Sequence, residues 1–147
     1  MIRFTIDREP FRTTAQQKAV TYRNGRPQFY YPEKLQEAYN AYLNDVWPYR
    51  PAEPITGPIA LYVTFWFGTS DKKKWFKPKT TRPDTDNLIK GFKDVLTAAG
   101  YWKDDAQICR ENITKTWHER GHIDVTILAL NDAKKDAEAL RKAMEKF

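Results

Sequence analysis

The chain predicts an α+β fold: a small mixed β-sheet of about four strands packed with two to three helices. Three observations carry that expectation. Ile59–Phe67 is β-branched and aromatic without a polar face, as suits a strand buried on both sides. Leu35–Leu43 and Leu88–Leu96 space their apolar residues at the helical period. Finally, 147 residues, 41% of them hydrophobic, are enough for one sizeable core. The expectation is a single domain over residues 1–147, with 131–147 as a C-terminal helical extension.

The elements follow in order. Ile2–Ile6 alternates weakly and reads as a short strand. Thr13–Tyr31 is polar, and its Asn24-Gly25 pair signals a tight turn, in a hairpin or a surface excursion. Pro32 at a first helical position, with Glu33 behind it, opens a helix that runs to about Val46. Its apolar stripe is Leu35, Ala38, Tyr39, Tyr42 and Leu43. Pro48, Pro51, Pro54 and Pro58 make Trp47–Pro58 an irregular connector. Ile59–Phe67 is the central strand, and Thr69–Arg82 is a loop. A helix from about Thr85 to Ala99 is ended by Gly100. Leu88, Ile89, Phe92, Val95 and Leu96 form its apolar face, while Asp86, Lys90 and Asp94 stack one turn apart on the other. Gln107–Trp117 and His122–Leu130 read as strands joined at Glu119–Gly121, expected to pair as a hairpin. Asn131 or Asp132 caps a last helix whose seam is Ala133, Ala137, Leu140, Met144 and Phe147, for packing on the domain or on a second subunit.

Charge narrows the partner. Lys and Arg outnumber Asp and Glu by 25 to 19, a net +6. With a pI near 9.4 and a mean hydropathy of -0.76, the surface is charged and suited to a polyanion. A single cysteine, Cys109, excludes an internal disulfide framework and a Cys-based zinc site, and is expected to pack in the core of a reduced, cytoplasmic protein. Met1–Asp7 lacks a signal-peptide pattern, and no apolar run approaches the ~20 residues that span a bilayer, so no membrane association is expected.

The most informative stretch is RPDTDNLIKGFKDVLTAAGYWKDDAQ, Arg82–Gln107. It sets Asp84 and Asp86 at one end of a helix, Asp104 and Asp105 beyond the other, and Asn87 and Lys90 just inside. Hydrolysis of a phosphodiester needs an activated water and neutralised charge. Mg²⁺ held by a few carboxylates supplies both, and a lysine can steady the transition state. The plain alternatives are helix capping for Asp84 and Asp86, a solvated pair with Asp86 or Asp94 for Lys90, and an ordinary turn for Asp104 and Asp105. A helix of this length spans about 22 Å. The second pair therefore meets the first only if the chain runs back along the helix after Gly100, or if one residue alone does so. The basic loop before the helix holds Lys72, Lys73, Lys74, Lys77, Lys79 and Arg82, which would deliver phosphate to the acids, and Trp75 and Phe76, candidates for stacking on an unpaired base. Arg3, Arg12, Lys18, Arg23 and Arg26 offer a second basic surface. His118 and His122 flank a turn but lack a third metal ligand nearby.

RPDTDNLIK followed by FKDVLTAAGYWKDDAQI resembles the RusA family of Holliday-junction resolvases, crossover junction endodeoxyribonucleases frequent in phages and prophages. The family pattern is D-x-D-N-x-x-K, an acid, a small-residue turn, an aromatic pair and D-D-A-Q. It is met here by Asp84, Asp86, Asn87, Lys90, Asp94, Tyr101, Trp102, Asp104, Asp105, Ala106 and Gln107, with Lys115, expected among the DNA contacts, closing the next strand. The match is specific over Arg82–Lys115, looser over Tyr30–Leu43 and Ile59–Phe67, and carries nothing to Asn131–Phe147. The resemblance implies a RusA-like homodimer of mixed α/β subunits that binds a four-way DNA junction and cuts two opposed strands, in recombination and repair. It implies Mg²⁺, with Mn²⁺ as a substitute, and no organic cofactor. Catalytic roles fall on Asp84, Asp86, Asp105 and Lys90, with the metal on the three aspartates; Asp104 is an accessory acid and metal ligand, or a turn residue. Two rivals stand beside this: a metal nuclease for other branched DNA or for RNA, and a non-catalytic basic DNA-binding module.

Overall fold

The computed structural model describes residues 1–12, 19–23, 26–30, 33–130 and 133–145. In chain order the elements are β1 (Ile2–Ile6), β2 (Ala19–Arg23), β3 (Arg26–Tyr30), α1 (Glu33–Val46), β4 (Ile59–Gly68), α2 (Thr85–Ala98), β5 (Ile108–His118), β6 (His122–Ala129) and α3 (Ala133–Glu145). Four strands form a mixed sheet in the order β1-β6-β4-β5, and β2 pairs with β3 in a separate hairpin. The fold is α+β, as the sequence predicts. In the hairpin Arg23 pairs with Arg26, which leaves two residues for the connection. The predicted turn residues, Asn24 and Gly25, lie outside the described residues, as does Pro32.

The constraint that orders the sheet is β4. All but two of its residues are buried, on both faces, so every position along it is apolar or packed. Such a strand needs hydrogen-bonding partners on both edges and neighbours on both sides. Its inward residues Leu61, Val63, Phe65 and Phe67 join Phe4, Ile6, Ile123, Val125 and Ile127 in one cluster with Tyr42 and Val46 of α1 and Leu88, Ile89, Phe92, Val95 and Leu96 of α2. Ring edges knit the two helices to the sheet, Tyr42 on Phe92 at 5.4 Å and Phe65 on Phe92 at 5.9 Å. On the opposite face Ala60, Tyr62 and Leu128 pack against Ala139 of α3. Ala137, expected in the seam of that helix, is exposed, while the side chains of Ala133, Leu140, Met144 and Phe147 and the expected caps Asn131 and Asp132 lie outside the described residues.

One expected pairing is overturned. β5 and β6 do not form a hairpin, because β4 lies between them, parallel to β5 and antiparallel to β6. Helix α2 provides the crossover that a parallel β4–β5 pair requires. The short link after β5 then steps across the end of β4, where Thr69 N–H donates to His118 O at 2.9 Å. The step is tight. A Cβ on Gly68 would sit 3.2 Å from Gly121 N, and one on Gly121 would meet the Glu9 carboxylate at 1.7 Å. That carboxylate also accepts from Gly68 N–H at 2.9 Å. A second expectation also fails: Cys109 is exposed rather than core-packed, because β5 is an edge strand whose first half faces outward.

Gly121→Ala should therefore lower stability by about 1–3 kcal/mol through overpacking against Glu9. Thermal or urea unfolding checks it, and an unchanged midpoint would contradict this crossing.

Candidate active site

Helix α2 sets out the acidic residues. Asp84 occupies its N-cap position with extended backbone, φ −73° and ψ 150°, and Leu88 N–H donates to its carbonyl at 3.0 Å. Yet the Asp84 side chain makes no cap hydrogen bond. An aspartate at an N-cap ordinarily accepts from the first-turn amides; this carboxylate is exposed and directed elsewhere. Asp86 lies in the first turn and is also exposed. The turn leading in is held from below, since Lys115 Nζ on β5 donates to Thr81 O at 2.7 Å and Pro83 O at 2.9 Å.

The second acidic pair separates into two roles. Asp104 accepts from Ala106 N–H at 2.8 Å, and Gln107 reaches back to Asp104 N–H at 3.1 Å, a capping box on one turn of 3-10 helix. Asp104 is thus a turn residue. Asp105 turns toward α2, where its carboxylate accepts from Thr97 Oγ1 and from Trp102 Nε1, the latter at 3.2 Å. It stands beside Asp94, whose carboxyl is raised above its ordinary 3.8 by desolvation first and then by the charge of Asp105 and a hydrogen bond with it, against Lys90 and Lys93. The sequence offers Asp94 as a member of the Asp86, Lys90, Asp94 stack and as the acid of the family pattern, without a link to Asp105. The structure makes it the partner of Asp105.

Asp84, Asp86, Lys90 and Asp105 do not converge within one chain. Thr97, which holds Asp105, follows Asp84 by about 20 Å of helix. Among the described residues no three His, Cys, Asp or Glu side chains form a group able to hold a metal ion. The reason is the buried aromatic pair after Gly100. Tyr101 OH donates to Val46 O at 2.6 Å, Trp102 Nε1 donates to Thr97 Oγ1 at 2.7 Å, and both rings are buried, so the chain is pinned at the C-terminal end of α2. What results is a row along one helix face: Asp84 and Asp86 at the entrance, Lys90 next, and Asp94 with Asp105 at the far end. Two carboxylates suit a hard cation only when other oxygens, such as phosphate, complete its shell.

The basic loop divides as well. Lys72–Lys74 form a 3-10 turn capped by Asp71, and Lys72, Lys73, Lys74, Lys77 and Arg82 are exposed. Lys79 is not a phosphate contact. It is 3% exposed, lies 4.8 Å from the Trp117 ring centroid, and donates to Thr81 O at 3.1 Å, Thr81 Oγ1 and Arg82 O at 2.7 Å. Burial and then neighbouring Arg12, Lys115 and Lys74 push its pKa down. Trp75 is half-buried, with Nε1 donating to Thr69 O at 2.8 Å, whereas Phe76 is 70% exposed. In the second basic surface Arg12 lies over the Phe67 ring at 5.4 Å and Arg3 is exposed. Lys18 and the side chains of Arg23 and Arg26 lie outside the described residues.

Lys79→Met should cost about 1–3 kcal/mol by removing the donor to Arg82 O and Thr81 Oγ1, Thr81 O keeping Lys115. Lys77→Ala should instead leave the melting temperature unchanged and reduce the salt slope of DNA binding by about 1. The reverse pattern would return Lys79 to the DNA surface. Asp94 gives a pH signature in metal-free buffer. Its folded pKa is raised, so the folded state holds the proton more tightly and stability falls as pH climbs from 3.8 through the raised value. Asp94→Asn should flatten that fall in urea titrations across pH, and an identical slope would separate Asp94 from Asp105.

Comparison with known proteins fits this arrangement. The model of the family described as Endodeoxyribonuclease RusA matches residues 10–128. The crossover junction endodeoxyribonuclease rusA of Lactococcus phage r1t is 35% identical over 133 residues, 84% of this chain and 93% of that protein. The uncharacterized protein YqaN of Bacillus subtilis (strain 168) is 32% identical over 139 residues, 86% of this chain and 94% of that one. The crossover junction endodeoxyribonuclease RusA of Escherichia coli (strain K12) is 38% identical over 56 residues, 37% of this chain and 47% of its own length. With its family model covering most of the chain and its acids ranged along one helix, the chain belongs to the RusA family of endodeoxyribonucleases.

Proposed function

We propose that this protein is a structure-specific, Mg²⁺-dependent endodeoxyribonuclease, with Mn²⁺ able to substitute, that resolves four-way DNA junctions in recombination and repair. It acts in the cytoplasm as a homodimer of single-domain subunits and makes paired, symmetric nicks. The observation that carries this reading is Asp84, an N-cap aspartate whose carboxylate leaves the helix amides unused and stands beside Asp86 at the mouth of a basic loop.

When bound, the ion would neutralise phosphate charge and lower the pKa of a water. The rest belongs to the chain. Asp84 and Asp86 offer oxygens at the helix entrance, and substrate phosphate would complete the shell. Lys115 fixes the approach of Asp84 by tying down Thr81 and Pro83. Lys90, a turn further on, presents an ammonium to the scissile phosphate. Asp105, oriented by Thr97 and Trp102, supplies with Asp94 the second acidic pair. Lys72, Lys73, Lys74, Lys77 and Arg82 hold the flanking backbone. A junction has two-fold symmetry, so two identical subunits would face equivalent strands, which is the physical case for the dimer.

Incubation with a four-way junction and Mg²⁺ should give paired nicks, and Asp84→Asn should slow cutting by roughly 10²–10³-fold or more while binding holds or tightens. Uncut junction despite tight, salt-dependent binding would instead favour a DNA-binding module. Equal cutting of flaps, duplex or RNA would favour the broader nuclease.

A further inference from the structure

The sheet face turned away from α1 and α2 carries a cluster of rings. Trp66 of β4 stacks on His122 of β6, with centroids 5.2 Å apart and planes 10° from parallel. His118 meets the Trp66 ring edgewise at 5.3 Å. Phe76, from the basic loop, stands over both at 6.1 Å from Trp66 and 5.4 Å from His118. The Trp66 indole N–H donates to Asp124 Oδ2 at 2.9 Å, and Asp124 Oδ1 accepts from Thr5 Oγ1 at 2.6 Å, so the Trp66 ring is fixed. Beside these rings lies a cleft of about 440 Å³, with Arg3, Trp66, Phe76, Lys115 and Asp124 among its lining.

Phe76 calls for a reason. Its φ is +64°, a left-handed backbone that a bulky residue avoids, and its ring is 70% exposed. Its edge contacts with Trp66 and His118 leave most of that ring in solvent. What the placement does give is an aromatic face held open at the cleft. The cleft is of the size that takes a small organic group, and its lining combines flat rings, a fixed carboxylate acceptor and nearby cations. An apolar peptide would match the rings but not the lysines of the same loop. A nucleotide matches all three.

We propose that this cleft receives one unpaired nucleobase of the DNA, stacked on Phe76 beside Trp66, with its backbone held by the loop lysines. The inference rests on the reading that the substrate is branched DNA, where pairing is interrupted. Lys115 joins the two sites: it lines the cleft and also anchors the Thr81–Pro83 turn that leads to Asp84. A base seated here would therefore register the branch point against the acidic row. Of the two aromatics in the loop, only Phe76 takes this role, since the Trp75 indole is engaged with Thr69.

The test uses the full chain without divalent metal, and 2-aminopurine placed either in a single-stranded oligonucleotide or at the branch of a four-way junction. The wild type should quench the fluorophore. Phe76→Ala should abolish the quenching and weaken single-strand binding by roughly 5- to 150-fold, with duplex binding unchanged. Phe76→Tyr should retain both signals. Phe76→Gly serves as the control for folding: it accommodates the left-handed backbone and should melt no lower than Phe76→Ala, yet bind as weakly. Quenching by Phe76→Ala equal to wild type overturns the site, as does a loss of duplex binding equal to the loss of single-strand binding. Junction cutting without quenching would remove the cleft and leave the nuclease standing; quenching without cutting would do the reverse.

Discussion

A strand buried on both faces has to be interior, and the remaining architecture follows from that demand on β4. Its two edges require partners, one antiparallel and one parallel, and the parallel partner requires a crossover. The crossover is α2. One face of that helix closes the core through Leu88, Phe92 and Leu96, which leaves the opposite face free to carry charge. Asp86 and Asp94 lie on that exposed face, and Asp84 caps its entrance.

That placement explains the electrostatics of the row. Burial first, and then the charge of Asp105 just beyond the helix, raise the carboxyl of Asp94. Lys90 and Lys93 offset part of that rise, and Lys93 is partly engaged by Glu111 at 3.2 Å. On the proposed function, such a surface would take an ion that arrives with its own oxygens. The basic loop supplies the complementary half of the field, with Lys79 withdrawn into the structure to shape the turn while its neighbours stay in solvent.

Much of this was legible in the sequence. β1, α1, β4 and α2 fall close to their expected limits because each is specified by its own periodicity and punctuation, Gly100 at φ +86° among them. The sequence suggests a β5–β6 hairpin because a turn signal is local, whereas the need of β4 for a second edge partner is not. Lys79 looks like any lysine in a basic run; only Phe67 and Trp117, brought in from distant strands, reveal that it is buried. The aspartates were found as a set, but their division depends on where Tyr101 and Trp102 anchor the chain, which spacing alone leaves open.

On the proposed function, phosphate completes an acidic row that the free chain does not preform as a metal site. Calorimetric titration of Mg²⁺ into the free protein and into its complex with nicked product DNA tests it directly, because coupling between ion and phosphate is reciprocal. Weak binding to the free chain that tightens at least about tenfold with DNA is the result expected of two-carboxylate sites. A tight, stoichiometric site in the free protein, indifferent to DNA, would contradict the account.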